Sequence, residues 1–182
     1  LALERLGVPD AAVLAPRYAA EKQAVIEHLI AEGHIDGFPD ALRLVAAARG
    51  RGFRLALASA SRNAAAMLAP LVLPDGTRLR AAFDADLSGA TVPRGKPDPA
   101  LFLLAAAALH LPPAACVVIE DAPAGIAAAR AGGMASIGVA RLHDAALLNA
   151  AGADLVVTSL DELDLAALDR GELRTRKGAA DG

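Results

Sequence analysis

Short apolar segments alternate with longer Ala- and Leu-rich segments along most of this chain. The short segments lack the period-2 alternation of half-exposed strands, which predicts strands buried on both faces. The longer segments carry charges at helical spacing and predict helices. The predicted strands are 54–59, 83–87, 116–119, 135–139 and 155–158, and the predicted helices between them are 63–68, 99–110, 122–131, 144–150 and 160–168. This alternation predicts an α/β fold, with a Rossmann-like parallel sheet and helices on both faces.

The two ends of the chain depart from this alternation. Residues 10–33 predict mainly helix, and a Gly- and Pro-containing break follows at residues 33–39. The break predicts a boundary between a helical part, residues 1–34, and an α/β core, residues 35–169. Residues 170–182 mix charges and Gly with almost no large apolar residue, which predicts a disordered tail.

Charge and cysteine content exclude several classes of protein. The formal net charge of -3 disfavours nucleic-acid binding through a basic surface. The single cysteine, Cys116, excludes an internal disulfide framework and a Cys-based zinc site, and it fits a reducing cytoplasm. No apolar stretch approaches the roughly 20 residues of a membrane span. We therefore expect a cytoplasmic protein without nucleic-acid or membrane partners, and the sequence leaves its oligomeric state open.

A hydroxyl-rich turn follows the first predicted strand. It reads Ser59-Ala60-Ser61-Arg62-Asn63 and leads directly into a predicted helix. Small hydroxyl residues and free N–H groups at a helix start form an anion site, and Arg62 adds a fork-shaped donor. The alternative is structural, with Ser61 capping the helix and Ser59 filling a tight turn.

Two adjacent carboxylates, Glu120 and Asp121, follow the predicted strand 116–119. Such a pair repels itself unless a cation or a partner compensates, and oxygen-only ligands suit Mg²⁺, which also bridges phosphate oxygens. In the alternative interpretation Asp121 is the N-cap of the next helix and Glu120 is solvated.

Lys96 lies in the loop Gly95-Lys96-Pro97-Asp98-Pro99, between the hydroxyl turn and the carboxylate pair. Prolines restrict this loop, so a fixed ammonium there could hold a phosphoryl group as a point charge. The alternative is a solvated loop lysine. The hydroxyl turn and the carboxylate pair follow predicted strands, and Lys96 precedes a predicted helix. Ligands of parallel sheets bind beyond the carboxyl ends of the strands, so these three features are expected to meet at one edge of the sheet. Anion donors, a cation and a metal clamp are what phosphoryl transfer requires.

The segments LALASASRN (55–63), GKPDPALFLLAA (95–106) and VVIEDAPAGIAAARAGGMASIGV (117–139) resemble the haloacid-dehalogenase-like superfamily. Within it, they resemble the beta-phosphoglucomutase group, over roughly residues 35–165. The resemblance implies a core of that superfamily's fold, with residues 1–34 as part of a helical cap that closes over the substrate.

The resemblance also implies roles for the residues singled out above. It implies that Ser59 and Lys96 hold the transferring phosphoryl group and that Glu120 and Asp121 hold Mg²⁺. The segment from Ala60 through Ser61, Arg62 and Asn63 resembles the site for the distal phosphate of a sugar phosphate. Lys22 falls near a cap lysine of the group, and a solvated helix face is its alternative.

The sequence departs from the family at the nucleophile. In the family, the first Asp of a DxD motif on the first strand attacks the phosphoryl group, and the second acts as general acid and base. Asp84-Ala85-Asp86 has this spacing, but it lies after the hydroxyl turn and lacks the residues that follow the motif, so we do not assign it as the nucleophile. Asp36 and Asp40 have no preceding strand. We therefore expect that the first, central strand is absent and that the chain is truncated before the nucleophile.

These observations lead to one functional expectation and two alternatives. The expectation is Mg²⁺-dependent phosphoryl transfer on a small sugar phosphate, in the manner of a beta-phosphoglucomutase, because the segment from Ser61 to Asn63 suits an enzyme that holds two phosphates. The first alternative is a phosphatase of the same superfamily that acts on a small phosphate ester. The second is a non-catalytic module that binds a phosphorylated ligand, or an inactive fragment.

Overall fold

The computed structural model describes residues 9–176 of the chain, which divides into two compact units, Leu1–Asp36 and Gly37–Gly182. The first unit contains one long helix, α1 (Ala11–Ala31), where the sequence predicts helix. Its apolar side chains Val13, Tyr18 and Val25 are exposed. Among the described residues, no helix combines the length and the hydropathy needed to cross a membrane.

The second unit alternates strands with helices. Its strands are β1 (Ala56–Ser59), β2 (Ala85–Ser88), β3 (Val117–Glu120), β4 (Ala135–Val139) and β5 (Leu155–Val157). Its helices are α2 (Pro39–Gly50), α3 (Ala64–Leu68), α4 (Ala100–Ala108), α5 (Pro123–Ala131), α6 (Ala145–Ala150) and α7 (Leu165–Leu168). Short 3₁₀ turns lie at Leu79–Ala82, Pro113–Ala115 and Leu160–Glu162. The apolar runs of the sequence therefore form the strands, with ends that shift by one or two residues.

All of the named strand pairs are parallel, which confirms the predicted α/β fold. Within residues 9–176 the strands form two sheets, β1-β2 and β3-β4-β5, where the sequence predicts one. No backbone ladder joins β1 to β3 in this part of the chain, so each of these strands has one edge without a strand partner. On β3, Val117 and Ile119 are 37% and 41% exposed, whereas Val118 between them is buried.

Side-chain packing connects the two sheets. Phe102 and Ala106 of α4 lie in one apolar cluster with Val118 of β3, and Ala58 of β1 packs against that cluster. The small side chains of α4 allow the helix to lie close to both strands. Helix α4 therefore positions the carboxyl ends of β1 and β3 relative to each other.

Helices cover both faces of the three-stranded sheet, as the sequence predicts. On one face, Ala41 and Leu44 of α2 pack against the cluster that contains Ile137 of β4. On the other face, Ile126 of α5 and Leu148 of α6 form a cluster, and both are completely buried. Burial of each such side chain contributes about 1.5–3 kcal/mol to stability.

Gly138 of β4 lies directly under α6, and replacing it by Ala is expected to lower the free energy of unfolding by about 1–3 kcal/mol. A Cβ at this position would lie 3.1 Å from Leu148 Cβ, and Leu148 has no open space into which it can move. Urea denaturation measures the effect. Gly50→Ala is the matched control, because nothing lies within 4 Å of its added methyl group; we expect it to be neutral or stabilising. Equal stability of both variants would contradict the tight contact between β4 and α6.

The tail that the sequence predicts to be disordered is paired over its first part. Thr175 forms an antiparallel bridge with Leu163, and Arg174 forms an ion pair with Asp164 at 3.2 Å. The backbone N–H of Arg176 donates to the carbonyl of Glu162. These backbone and charge contacts need no large apolar residue, so the composition does not reveal them. The rest of the predicted tail, residues 177–182, lies outside the described residues.

Candidate functional site

The predicted site residues of the second unit follow the ends of β1 and β3 or lie in the loop before α4. Ser59 is the last residue of β1, and Glu120 is the last residue of β3. Lys96 lies in the loop that leads into α4, the helix that contacts both strands. The carboxyl ends of parallel strands are where such folds bind ligands.

The hydroxyl turn after β1 folds through its own side chains. The N–H of Ser61 donates to Ser59 Oγ at 3.2 Å, and the N–H of Asn63 donates to Ser61 Oγ at 3.3 Å. Both hydroxyl oxygens therefore shape the turn, as the structural alternative expects, while each hydroxyl hydrogen is still able to donate. Within the described residues, the N–H groups of Ala60 and Arg62 have no hydrogen-bond acceptor. The turn thus combines a local structural role with donors for an anion.

Lys96 is held between a carboxylate and an aromatic ring. Its Nζ donates to Glu120 Oε1, and it lies 4.9 Å from the centroid of the Phe102 ring. The side chains of Lys96 and Glu120 are only 29% and 10% exposed. A lysine that merely extends into solvent would make neither contact, so the geometry favours a fixed ammonium at this place.

Asp121 differs from its neighbour because its carboxylate is exposed and has no hydrogen-bond or ion-pair partner in the part of the chain that the structure describes. It does not cap α5: that helix begins at Pro123, Ala122 occupies the N-cap position, and no side chain makes a capping hydrogen bond. The capping alternative is therefore not observed. Asp121 therefore offers an exposed carboxylate next to Glu120 in the sequence, and carboxylates are ligands that Mg²⁺ takes.

The donor set fits Mg²⁺ in the manner usual for phosphate chemistry. Glu120 and Asp121 offer carboxylate oxygens, and only one oxygen of Glu120 contacts Lys96. Mg²⁺ commonly takes one or two carboxylates and completes its shell with water and phosphate oxygens. Residues 9–176 contain no cluster of three or more His, Cys, Asp or Glu side chains that could hold a metal. A cation here would therefore depend on oxygens that a substrate and water bring.

Three further predicted site residues have the following positions. Arg62 is exposed in the hydroxyl turn, and Asn63 occupies the N-cap position of α3. Lys22 is exposed on α1, in the first unit.

The carboxylates of Asp84 and Asp86 stabilise the structure around β2. Asp84 accepts from the N–H of Leu55 at 2.8 Å and from Arg54 Nε at 2.8 Å. The backbone hydrogen bond from Leu55 lowers the pKa of Asp84 below its usual value. Asp86 accepts from Arg80 Nε at 2.7 Å. Both carboxylates are therefore engaged in structural contacts, and this DxD pair is not a candidate for the nucleophile.

Two residues that the sequence analysis did not single out contact the site. Phe102 supports Lys96 through its ring, and Gly125 of α5 lies against the carboxyl group of Glu120. A signal for Gly125 exists in the sequence, because an isolated glycine inside a helix costs stability and therefore has a packing or functional reason. Phe102 has no such signal, since its position in an apolar helix predicts only burial.

Comparison with known proteins identifies a family whose sequence profile matches the chain and relatives with similar sequences. The sequence profile of the haloacid dehalogenase-like hydrolases matches residues 2–133. The beta-phosphoglucomutase of Bacillus subtilis (strain 168) is 39% identical over 133 residues, which are 73% of this chain and 54% of that protein. Hexitol phosphatase A of Escherichia coli (strain K12) is 42% identical over 82 residues, which are 45% of this chain and 37% of that protein.

A solved structure shows the same fold. The crystal structure of CbbY from Rhodobacter sphaeroides in complex with xylulose-(1,5)bisphosphate superposes with a TM-score of 0.66 at 30% sequence identity. The match covers 82% of this chain and 68% of that chain. This chain spans little more than half the length of the Bacillus subtilis protein that it matches.

Proposed function

The chain belongs to the haloacid dehalogenase-like hydrolase family, and from this membership we propose that it performs Mg²⁺-dependent phosphoryl transfer on a small sugar phosphate, as a beta-phosphoglucomutase-like phosphomutase. One structural observation is the main support for this proposal. The ammonium of Lys96 is fixed against Glu120 at the end of β3, and the next residue, Asp121, has an exposed carboxylate. A fixed ammonium and a candidate metal ligand at the same strand end support the binding of a phosphoryl group there.

Each residue has a role in this proposal that follows from its chemistry. The hydroxyl of Ser59 and the N–H groups of the turn donate hydrogen bonds to the phosphoryl oxygens, and Lys96 offers a positive charge to them. Glu120 and Asp121 would hold Mg²⁺, which, when bound, neutralises charge on the phosphoryl oxygens. Glu120 also orients Lys96, because its Oε1 accepts from Nζ. The chain's own residues thus bind and orient the phosphoryl group.

We propose that the attacking carboxylate enters on a strand that pairs with the edges of β1 and β3 that have no strand partner within residues 9–176. The separation of β1-β2 from β3-β4-β5 within residues 9–176 supports this, since one parallel strand between β1 and β3 would pair with both. The carboxylate oxygen attacks phosphorus, an acyl phosphate forms, and the bond from phosphorus to the sugar oxygen breaks while a nearby acid protonates that oxygen. The reverse sequence on another sugar hydroxyl completes a mutase cycle.

The proposed partner is a small sugar phosphate in the cytoplasm, a compartment in which the free thiol of Cys116 stays reduced. The relative solved with a sugar bisphosphate supports a site with room for two phosphates. We assign the second phosphate to the segment from Ala60 to Asn63. We assign residues 1–34 to a partial cap, with Lys22 as a further contact to substrate.

A phosphatase is the second candidate, and the similarity to hexitol phosphatase A favours it. In that reaction water, instead of a second sugar hydroxyl, takes the phosphoryl group from the acyl phosphate. The same residues of this chain would bind the phosphoryl group. The two activities therefore differ in the acceptor alone.

Incubation with Mg²⁺ and a panel of aldose and ketose phosphates, followed by ³¹P NMR, tests the proposal. An isomerised sugar phosphate supports the mutase, and inorganic phosphate supports the phosphatase. Calorimetry on the same samples detects saturable binding without turnover, which supports a non-catalytic module and contradicts the proposal. The coding sequence that precedes Leu1 is a second test, since a strand that ends in DxD would supply the nucleophile.

Asp121→Asn is expected to weaken Mg²⁺ binding about tenfold, because an amide oxygen carries no charge to attract the cation. Calorimetric titration with MgCl₂ in the presence of inorganic phosphate measures the change. Asp144→Asn is the matched control, because Asp144 is a carboxylate that lies beyond β4 at the start of α6 and takes no part in the proposed site. Unchanged Mg²⁺ affinity in Asp121→Asn would remove this residue from the metal site.

A further inference from the structure

Gly125 occupies a place where a side chain would meet the carboxyl group of Glu120. A Cβ at Gly125 would lie 2.2 Å from Glu120 Cδ, 2.4 Å from Oε2 and 2.6 Å from Cγ. Real Cβ atoms do not approach other atoms this closely. The carboxyl group of Glu120 and any side chain at position 125 therefore exclude each other.

The backbone conformation and hydrogen bonding at position 125 do not require glycine. The residue is the third of α5, and its N–H donates to the carbonyl of Ala122 at 2.9 Å, as at any helix start. Its φ is not in the left-handed region, so L-residues adopt the same conformation. Glycine is also a poorer helix former than alanine. The requirement for glycine comes from the space that Glu120 fills.

The atoms that a methyl group would displace belong to the end of a flexible side chain. Glu120 can rotate away without disturbing the backbone of β3 or α5. A rotation would separate Oε1 from Lys96 Nζ and would move Oε2, the other oxygen that could bind a cation. The cost would therefore fall on the position of two charged groups and not on the packing of the core.

We propose that Gly125 is a positioning residue: the absence of a side chain at this point of α5 leaves room for the Glu120 carboxyl group in the position where its Oε1 accepts from Lys96 Nζ. The inference rests on the proposed function, in which this carboxylate is a ligand for Mg²⁺. Gly125 would then keep the Lys96 ammonium and the Glu120 carboxylate, a proposed Mg²⁺ ligand, aligned in the same site.

Gly125→Ala separates this role from a structural one. We expect the affinity for Mg²⁺, titrated calorimetrically with inorganic phosphate present, to fall about tenfold. We expect the urea midpoint of unfolding to stay the same or to rise, because alanine favours the helix. Gly50→Ala, at the end of α2 with nothing within 4 Å, is the matched control and should leave Mg²⁺ affinity unchanged.

A second variant tests the steric cause directly. Glu120→Asp shortens the side chain by one methylene and withdraws the carboxyl group from position 125. In the Gly125→Ala background, we expect Glu120→Asp to recover part of the lost Mg²⁺ affinity, whereas in the wild-type background it should weaken binding. Weaker binding in the double variant than in Gly125→Ala alone would overturn the steric mechanism.

The remaining outcomes distinguish the inference from the proposed function. Wild-type Mg²⁺ affinity in Gly125→Ala, with binding in the unaltered protein, would overturn the positioning role alone. A large drop in the urea midpoint together with the loss of binding would also overturn it, because the glycine would then be structural. A protein that binds no Mg²⁺ with phosphate present would contradict both.

Discussion

Asp40→Asn is expected to lower the free energy of unfolding by about 3–5 kcal/mol, because it leaves a buried charge without its partner. Asp40 is 5% exposed, and Arg141 Nη1 and Nη2 donate to its two oxygens at 2.8 Å and 3.0 Å. The hydroxyl of Ser159 and the N–H of Leu160 donate to Oδ2 at 3.2 Å and 2.8 Å. One carboxylate thus joins the start of α2 to the chain beyond β4 and β5. Urea denaturation followed by circular dichroism measures the loss.

Asp161→Asn is the matched control for this substitution. Asp161 also forms a two-pronged ion pair, with Arg43, but the two side chains are 47% and 53% exposed. Exposed pairs contribute about 1 kcal/mol or less, so this variant should stay within that margin of the unaltered protein. If the two variants lose the same stability, the burial of Asp40 is not the cause of its effect.

The same carboxylate gives stability a specific dependence on pH. Burial alone would raise the pKa of Asp40, but the hydrogen bonds and charge of Arg141 and the backbone N–H of Leu160 outweigh it and lower the pKa to about 2 from 3.8. A lowered folded-state pKa stabilises the protein above the unfolded value, and this contribution is lost as the pH falls from about 4 through 2. It amounts to about 2 kcal/mol. In the Asp40→Asn variant, this part of the decrease in the free energy of unfolding at low pH should disappear.

Lys96→Ala is expected to weaken the binding of inorganic phosphate by about 10- to 100-fold, since a hydrogen bond to a charged group contributes about 1.5–3 kcal/mol. The substitution removes the ammonium and also leaves the nearly buried carboxylate of Glu120 without its partner. Calorimetric titration with phosphate at constant Mg²⁺ measures the loss. Lys96→Met keeps the apolar stem beside Phe102, so it should lose the same affinity if charge is the cause.

Arg94→Ala provides the control within the same loop. Arg94 is a cation two residues earlier, it is 82% exposed, and it pairs with Asp98. Its removal should change phosphate affinity little, because the charge is solvated and already paired with Asp98. Equal losses in Arg94→Ala and Lys96→Ala would mean that net charge, and not a fixed ammonium, attracts the anion.

The sequence predicts the elements of the second unit well, because apolar runs and helix-breaking residues act locally. The strand predicted at 135–139 is β4, with the same ends. The sequence also predicts that Lys96 and Glu120 serve one site, from the rule that ligands of parallel sheets bind at the carboxyl ends of the strands, but it does not predict their direct contact. What the sequence predicts is therefore the place of the site and the chemical types of its residues.

Local sequence patterns do not predict which residues that lie far apart in the chain will be in contact. Asp40 lies in the first turn of α2, and no residue near it in the sequence indicates that Arg141 is its partner. The steric contact between Gly125 and Glu120 depends on the angle at which α5 leaves β3. The division of the strands into two sheets depends on pairing, and a strand looks the same in sequence whether its edge is paired or free.

The contact through α4 has a mechanical consequence. A hydrogen-bonded ladder fixes neighbouring strands in register, whereas packed apolar side chains allow small sliding movements. Between β1 and β3, the described residues offer the second kind of connection, through Phe102, Ala58 and Val118. Within residues 9–176, the hydroxyl turn and the carboxylate pair are therefore connected through the packing of α4, and a strand paired with both β1 and β3 would fix their register.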